Sequence, residues 1–163
     1  MISVVIPTLN AESSLAATLT ALVPAVIEGL LREGAPVARN NFDGFHWRED
    51  ADGQPWIGTS FQSLGAHGWW PCKASFFHPE DKQERLFVNL TVPAGLTAVS
   101  NGRLVARSSA GEGWETFHWE HDYPCPTYAV TLNVAPFVAI EGQLELAGVA
   151  EPVPYAYYVL PEN

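Results

Sequence analysis

Basic residues are scarce in this chain: eight Lys and Arg stand against eighteen Asp and Glu, for a formal charge of −10. A phosphate backbone or an anionic bilayer is bound through Lys/Arg-rich surface, so this balance argues against nucleic acid and membrane as partners. It suits plain solubility, and it also suits cationic ligands such as peptide amines. Cysteine is nearly absent. Cys72 and Cys125 are too few for a disulfide framework and lack metal-ligand spacing, leaving either one pair or two small buried side chains. No apolar run approaches the ~20 residues of a membrane span. The opening Met1-Ile-Ser-Val-Val-Ile-Pro7 has no basic n-region, which argues against a secretory signal and for the cytoplasm over the periplasm.

Catalytic signatures are missing as well. The five histidines are His46, His67, His78, His118 and His121, and no two stand in an H-E-x-x-H arrangement. That spacing is what sets two imidazoles one helical turn apart on a zinc ion. His118 and His121 lie three apart in an expected strand, where odd spacing sends them to opposite faces and away from a common metal. Neither a G-x-S-x-G elbow nor a glycine-rich phosphate loop is present. The expectation is a chain that holds no metal or cofactor and turns over no substrate by itself.

What is present is a globular composition. With 163 residues, 47% hydrophobic and only 16% charged, the chain is about one domain long and can bury a core. Its character changes near residue 34. Ile2 to Ile6 form a short apolar run closed by Pro7, which suits a buried parallel-type strand. Leu15, Leu19, Leu22, Val26 and Leu30 then recur at helical spacing, with a kink expected at Pro24 and a stop at Gly34. From Ala35 the pattern is β. Strands are expected at Trp56–Phe61, Leu86–Val92, Arg103–Arg107, Glu115–Glu120, Tyr128–Val134, Phe137–Ile140 and Tyr155–Leu160. Asn40 to Gly44 reads as a turn cluster, Asp50 to Gly53 as a tight hairpin, and Asn101-Gly102 as a hairpin turn. Short strands at this spacing imply an antiparallel sandwich or saddle-shaped sheet.

Two resemblances divide the chain at the same place. Val4-Val5-Ile6-Pro7-Thr8-Leu9-Asn10 resembles the opening β-α unit of family 2 glycosyltransferases, which implies a nucleotide-sugar context. Asn10-Ala11-Glu12 departs from that family's Asn-Glu order, and the second parallel strand that a βαβ crossover needs is not legible. Residues 1–34 are therefore read as a glycosyltransferase-like fragment.

Residues 35–163 carry the wider resemblance. Trp56-Ile-Gly-Thr-Ser-Phe-Gln62, followed by Gly68-Trp-Trp-Pro-Cys-Lys73, resembles the N-terminal β-domain of the aminopeptidase N (gluzincin) family. In that family a Gln or Glu precedes a turn and a Pro-Cys pair. Leu86 to Leu104, Glu115 to Glu120, Tyr128 to Phe137 and Pro154 to Pro161 follow in the matching order. Ala74-Ser75-Phe76 replaces the acidic turn usual after Pro-Cys-Lys, and the domain's first strands are missing, with the glycosyltransferase-like unit in their place.

The resemblance implies that Gln62 holds the free amino group of a peptide substrate, its amide oxygen accepting from the ammonium. It also implies a separate catalytic domain bearing zinc, H-E-x-x-H and G-A-M-E-N, none of which occurs here. The reading that follows is a partial, non-catalytic aminopeptidase N-terminal domain that packs on an absent catalytic domain. The missing strands should leave a sheet edge open to self-association. Alternatives are a glycosyltransferase fragment and a stand-alone β-sandwich that binds peptide or carbohydrate through Trp56, Trp69 and Trp70. Each prominent residue also has a bland role: a strand-end amide for Gln62, aromatic packing for the tryptophans, and chance for the Asn89-Leu90-Thr91 sequon.

Overall fold

A computed structural model describes residues 3–5, 40–61, 82 and 84–161. The expected helix over 14–31 lies outside the described residues, as do Gln62, Trp69, Trp70 and Cys72. Ten strands are described: β1 Ser3–Val5, β2 Asp43–Glu49, β3 Pro55–Phe61, β4 Leu86–Pro93, β5 Thr97–Ser100, β6 Arg103–Ser109, β7 Trp114–His121, β8 Leu132–Ala135, β9 Val138–Leu144 and β10 Val153–Val159. They form one sheet in the order β1-β4-β7-β6, a second in the order β2-β3-β8-β5, and a separate β10-β9 hairpin, all antiparallel. The expected antiparallel β architecture is what the chain adopts.

Alternation builds the core. Along β4, Leu86, Val88, Leu90 and Val92 turn inward while Phe87, Asn89 and Thr91 turn out. Phe117 and Trp119 on β7 join them from the same sheet. The second sheet contributes Phe45, Ile57, Phe61, Ala98, Leu132 and Val134 to one continuous cluster between the layers. Trp119 also ties the layers together, since its indole N–H donates to the Ala98 carbonyl across the core at 3.0 Å.

Turn chemistry explains the first hairpin. Asp50 Oδ1 accepts from the N–H groups of Asp52 (3.0 Å) and Gln54 (2.7 Å), closing the β2–β3 connection as expected. A second polar device sits deeper. The β3–β8 ladder pairs only Ile57 with Val134 and Gly58 with Asn133. Beyond it, the Thr59 hydroxyl accepts from Leu132 N–H at 2.9 Å and donates to Leu132 O at 3.3 Å, standing in for the missing backbone rungs.

Several expectations need correction. The Ser3–Val5 strand is antiparallel, with Val5 opposite Asn89 and Ser3 opposite Thr91. A short apolar run gives no direction of pairing, and here it meets an all-antiparallel sheet. Asn40 to Gly44 is not only a turn: β2 begins at Asp43. β5 was not anticipated. The expected Tyr128–Val134 strand starts at Leu132, because a single 3-10 turn occupies Thr127–Ala129.

Asn101-Gly102 is not a hairpin turn between paired strands. It carries the chain from β5 in one sheet to β6 in the other. The Asn101 side chain stabilises this crossing: Nδ2 donates to Ala129 O at 2.9 Å, and Oδ1 accepts from Thr131 N–H at 2.7 Å and from its hydroxyl at 3.3 Å.

Candidate functional site

Three places carry chemistry among the described residues. The first is the end of β3. Phe61 is its last residue, and Gln62 follows directly in the sequence. The conformation of Gln62 itself lies outside the described residues. Opposite Phe61 stands Asp43, whose side chain is buried and whose Oδ1 has no hydrogen-bond partner. A buried carboxylate oxygen is costly unless a donor meets it, which makes this corner an acceptor site. Sequence reasoning missed Asp43 by placing it in a turn. The signal was available: Asp43, Phe45 and Trp47 alternate on one face of β2, and Phe45 is in the core. Trp56, a candidate stacking residue, lies exposed on β3.

The second place is the outer face of the β4-β7-β6 sheet. His118 Nδ1 lies 2.7 Å from Asn89 Oδ1, and Nε2 lies 2.8 Å from Ser108 Oγ. An amide oxygen only accepts, so Nδ1 donates to Asn89. The order Ser–His–Asn has the connectivity of a nucleophile triad. Yet none of the three lines the cleft described below, and among the described residues none is seen to enclose a carbonyl for attack. The cross-strand network is a sheet-stabilising one, extended by the Thr91–Thr116 hydroxyl pair at 2.8 Å. It also engages both polar ends of the Asn89-Leu90-Thr91 sequon. His121 is drawn instead to Tyr123, whose N–H donates to its Nδ1 at 3.4 Å and whose ring meets it edge-on. His118 and His121 are thus separated, as their spacing implied.

The third place is a cleft of about 880 Å³ between the β9–β10 hairpin and the β5–β6 crossing. Arg103, Asp122 and Glu141 bring charge to it, and Trp119, Tyr155 and Tyr158 bring rings. Burial, reinforced by the Glu141 carboxylate, raises the Tyr158 phenol above its usual range, with Arg107 opposing. The Tyr158 ring meets Trp119 edge-on, with centroids 6.2 Å apart.

Metal binding finds no support here. Among the described residues no three His, Cys, Asp or Glu side chains converge. Cys125 is buried and unpaired, and burial pushes its thiol up. A zinc ion does not fit this set of donors.

Comparison with known proteins follows the same lines. No protein-family model matches the chain, and no curated protein sequence matches it. Solved structures do. The crystal structure of the M1 zinc metallopeptidase from Deinococcus radiodurans is similar with a TM-score of 0.57 and 25% identity, over 76% of this chain and 27% of that one. A two-domain M1 zinc metallopeptidase point mutant bound to L-arginine is similar at 0.58 and 25%, over 76% and 27%. A point mutant of the Deinococcus radiodurans protein bound to a Tyr-Ser-Ala substrate is similar at 0.58 and 23%, over 79% and 30%. The chain therefore resembles the N-terminal domain of zinc metallopeptidases of the aminopeptidase N kind, and spans under a third of their length.

Proposed function

We propose that this chain is a non-catalytic N-terminal β-domain of a zinc aminopeptidase, in which Gln62 receives the free amino group of a peptide substrate. The observation that carries this reading is the likeness of this chain to a zinc metallopeptidase structure over 76% of its length. The ordered sequence phrases around Trp56, Pro71-Cys72, Leu86 and Pro154 agree with it. Two of those structures are named as bound to L-arginine and to Tyr-Ser-Ala, ligands that carry amino groups. For this chain the chemistry is modest. The Gln62 amide oxygen accepts from the substrate ammonium, and Asp43 gives the same strand end an unpartnered acidic acceptor. Bond cleavage belongs to a zinc-bearing domain that these residues do not supply.

A chimera tests the reading. This chain replaces the matched segment of the Deinococcus radiodurans metallopeptidase, and hydrolysis of an aminoacyl reporter is measured. The intact chimera should turn over the reporter. Gln62→Ala should lower kcat/KM for substrates with a free N-terminus by about tenfold or more, the range for one lost hydrogen bond to a charged group. Zinc content should not change. Full aminopeptidase efficiency in the Gln62→Ala chimera would reject the role given to Gln62.

A further inference from the structure

Tyr155 brings a fixed and accessible ring to the cleft. It stands opposite Gly142 in the β9–β10 register. A Cβ on Gly142 would fall 2.5 Å from the ring carbon that bears the hydroxyl and 2.5 Å from the hydroxyl oxygen. The tip of the ring therefore fills the space that any other side chain at 142 would need. The neighbouring strand supports the ring in this position, yet the residue remains 43% exposed. The Tyr157 ring meets it at 62°, with centroids 5.3 Å apart. An aromatic ring already held in place loses little freedom when a ligand stacks on it.

Polar groups of both signs share the cleft with that ring. Asp122 and Glu141 bring carboxylates, Gln143 an amide and Arg103 a guanidinium. Among the described residues, no hydrogen bond or ion pair engages the side chains of Asp122, Glu141 or Gln143. Arg103 approaches Glu120 only at 3.8 Å and its side chain is 70% exposed, so its N–H donors are open to a ligand. The volume of about 880 Å³ falls within the roughly 300–1,000 Å³ usual for small-molecule sites.

We propose that this cleft binds a neutral oligosaccharide, with one sugar ring stacked on Tyr155 and its hydroxyls hydrogen-bonded by Asp122, Glu141, Gln143 and Arg103. Charge selects the class. A cationic ligand would be set against Arg103, and an anionic one against Asp122 and Glu141. An apolar ligand would strip all four polar side chains of water and offer them no partner. A sugar hydroxyl both donates and accepts, so one ligand type satisfies carboxylate, amide and guanidinium together. The C–H face of a sugar ring carries partial positive charge, which the negative face of an aromatic ring attracts. This binding is independent of the function proposed above, since it uses neither Gln62 nor a zinc-bearing domain.

The test titrates the full chain with maltotriose, cellotriose and tri-N-acetylchitotriose, each to about 10 mM, by calorimetry and saturation-transfer NMR. At least one of the three should bind. Tyr155→Phe keeps the ring and should hold the affinity within about twofold, whereas Tyr155→Ala should weaken it about fivefold or more. Gly142→Ala deletes no polar group but displaces the Tyr155 ring, and should weaken binding about threefold or more. Glu141→Gln exchanges a charged acceptor for a neutral amide and should cost a similar factor.

Failure of all three sugars to bind overturns the proposal. Binding that keeps full strength in Tyr155→Ala places the sugar elsewhere, as on the exposed Trp47 or Trp56, and also overturns it. Equal loss in Tyr155→Phe and Tyr155→Ala makes the hydroxyl the contact and rejects stacking. L-arginine methyl ester is the cationic control: if it binds more tightly than every sugar and weakens in Glu141→Gln, the cleft takes a cation and the proposal fails. Should Tyr155→Ala lower the melting temperature, Glu141→Gln decides. Full sugar affinity in that variant, at an unchanged melting temperature, overturns the proposal.

Discussion

Gly102→Ala isolates the point at which the chain passes from one sheet to the other. Gly102 has φ +88°, in the left-handed region, and an added Cβ would collide with the Glu120 carbonyl oxygen and come within 2.7 Å of His121 Cα. Both obstacles are backbone atoms of β7, which is held on both sides by β4 and β6 and cannot retreat as a flexible side chain would. The conformational penalty for a non-glycine residue is about 1–2 kcal/mol. Forcing extra volume into a packed site costs about 1–3 kcal/mol more. The sum, about 2–5 kcal/mol, is a large part of a usual total of about 5–15 kcal/mol. At about 2–4 °C per kcal/mol for a chain near this size, the melting temperature should fall by roughly 5–20 °C. Gly95→Ala is the control, because Gly95 has φ +95° and open space where its Cβ would stand. It carries the first penalty without the second. Urea titration of both variants, at equal m-values, should show Gly102→Ala costing about 1–3 kcal/mol more than Gly95→Ala. A difference below about 0.5 kcal/mol would refute the close approach of the crossing to β7.

Other consequences are more local. Asn101→Ala removes three hydrogen bonds and leaves Thr131 N–H without its acceptor, so urea unfolding should show a loss of about 2–3 kcal/mol, and Asn101→Asp should recover only part of it, because a carboxylate can accept from Thr131 but cannot donate to Ala129 O. Thr59→Val keeps the shape of β3 and deletes the hydroxyl that bridges Leu132, which should cost about 1–3 kcal/mol in the same assay. Burial raises the Cys125 thiol above its ordinary value of 9.0, so its contribution to stability is complete below about pH 9 and is lost as pH rises through the higher folded value. In a Cys72→Ser background, Cys125 should react with a disulfide reagent at pH 8 far more slowly when folded than in guanidinium, and equal rates would contradict its burial. The chain alone should hold no stoichiometric zinc and hydrolyse no aminoacyl reporter; about one tightly bound zinc per chain by elemental analysis would refute this.

Local chemistry was legible wherever it acts within a few residues. The Asp50 to Gly53 turn, the alternation Leu86-Val88-Leu90-Val92 and the opposed faces of His118 and His121 follow from side-chain period and turn propensity, and the structure reproduces them. The ordered phrases from Trp56 to Pro161 likewise pointed to the kind of protein that the structural comparison found. At the candidate site, legibility stopped at the strand end before Gln62. Asp43 was hidden because an Asn-Asn-Phe-Asp-Gly string has the composition of a turn even when its fourth residue opens a strand.

Tertiary structure decided which strands are neighbours. Asn101-Gly102 has the composition of a hairpin, yet β5 pairs with β8 and β6 with β7, so the same dipeptide serves as a crossing between sheets. Turn residues specify that the chain reverses, whereas the partner of each strand depends on contacts far away in sequence, such as Asn101 with Ala129 and Thr131. Direction of pairing at Ser3–Val5 was undetermined for the same reason, since a three-residue apolar strand satisfies either ladder. The hairpin face is the last case. Strands were expected at 137–140 and 155–160, but only the placement of the hairpin against the sandwich brought Glu141, Gln143, Tyr155 and Tyr158 to line the cleft. Which face meets the core depends on where the element is attached, and that information lies outside the element.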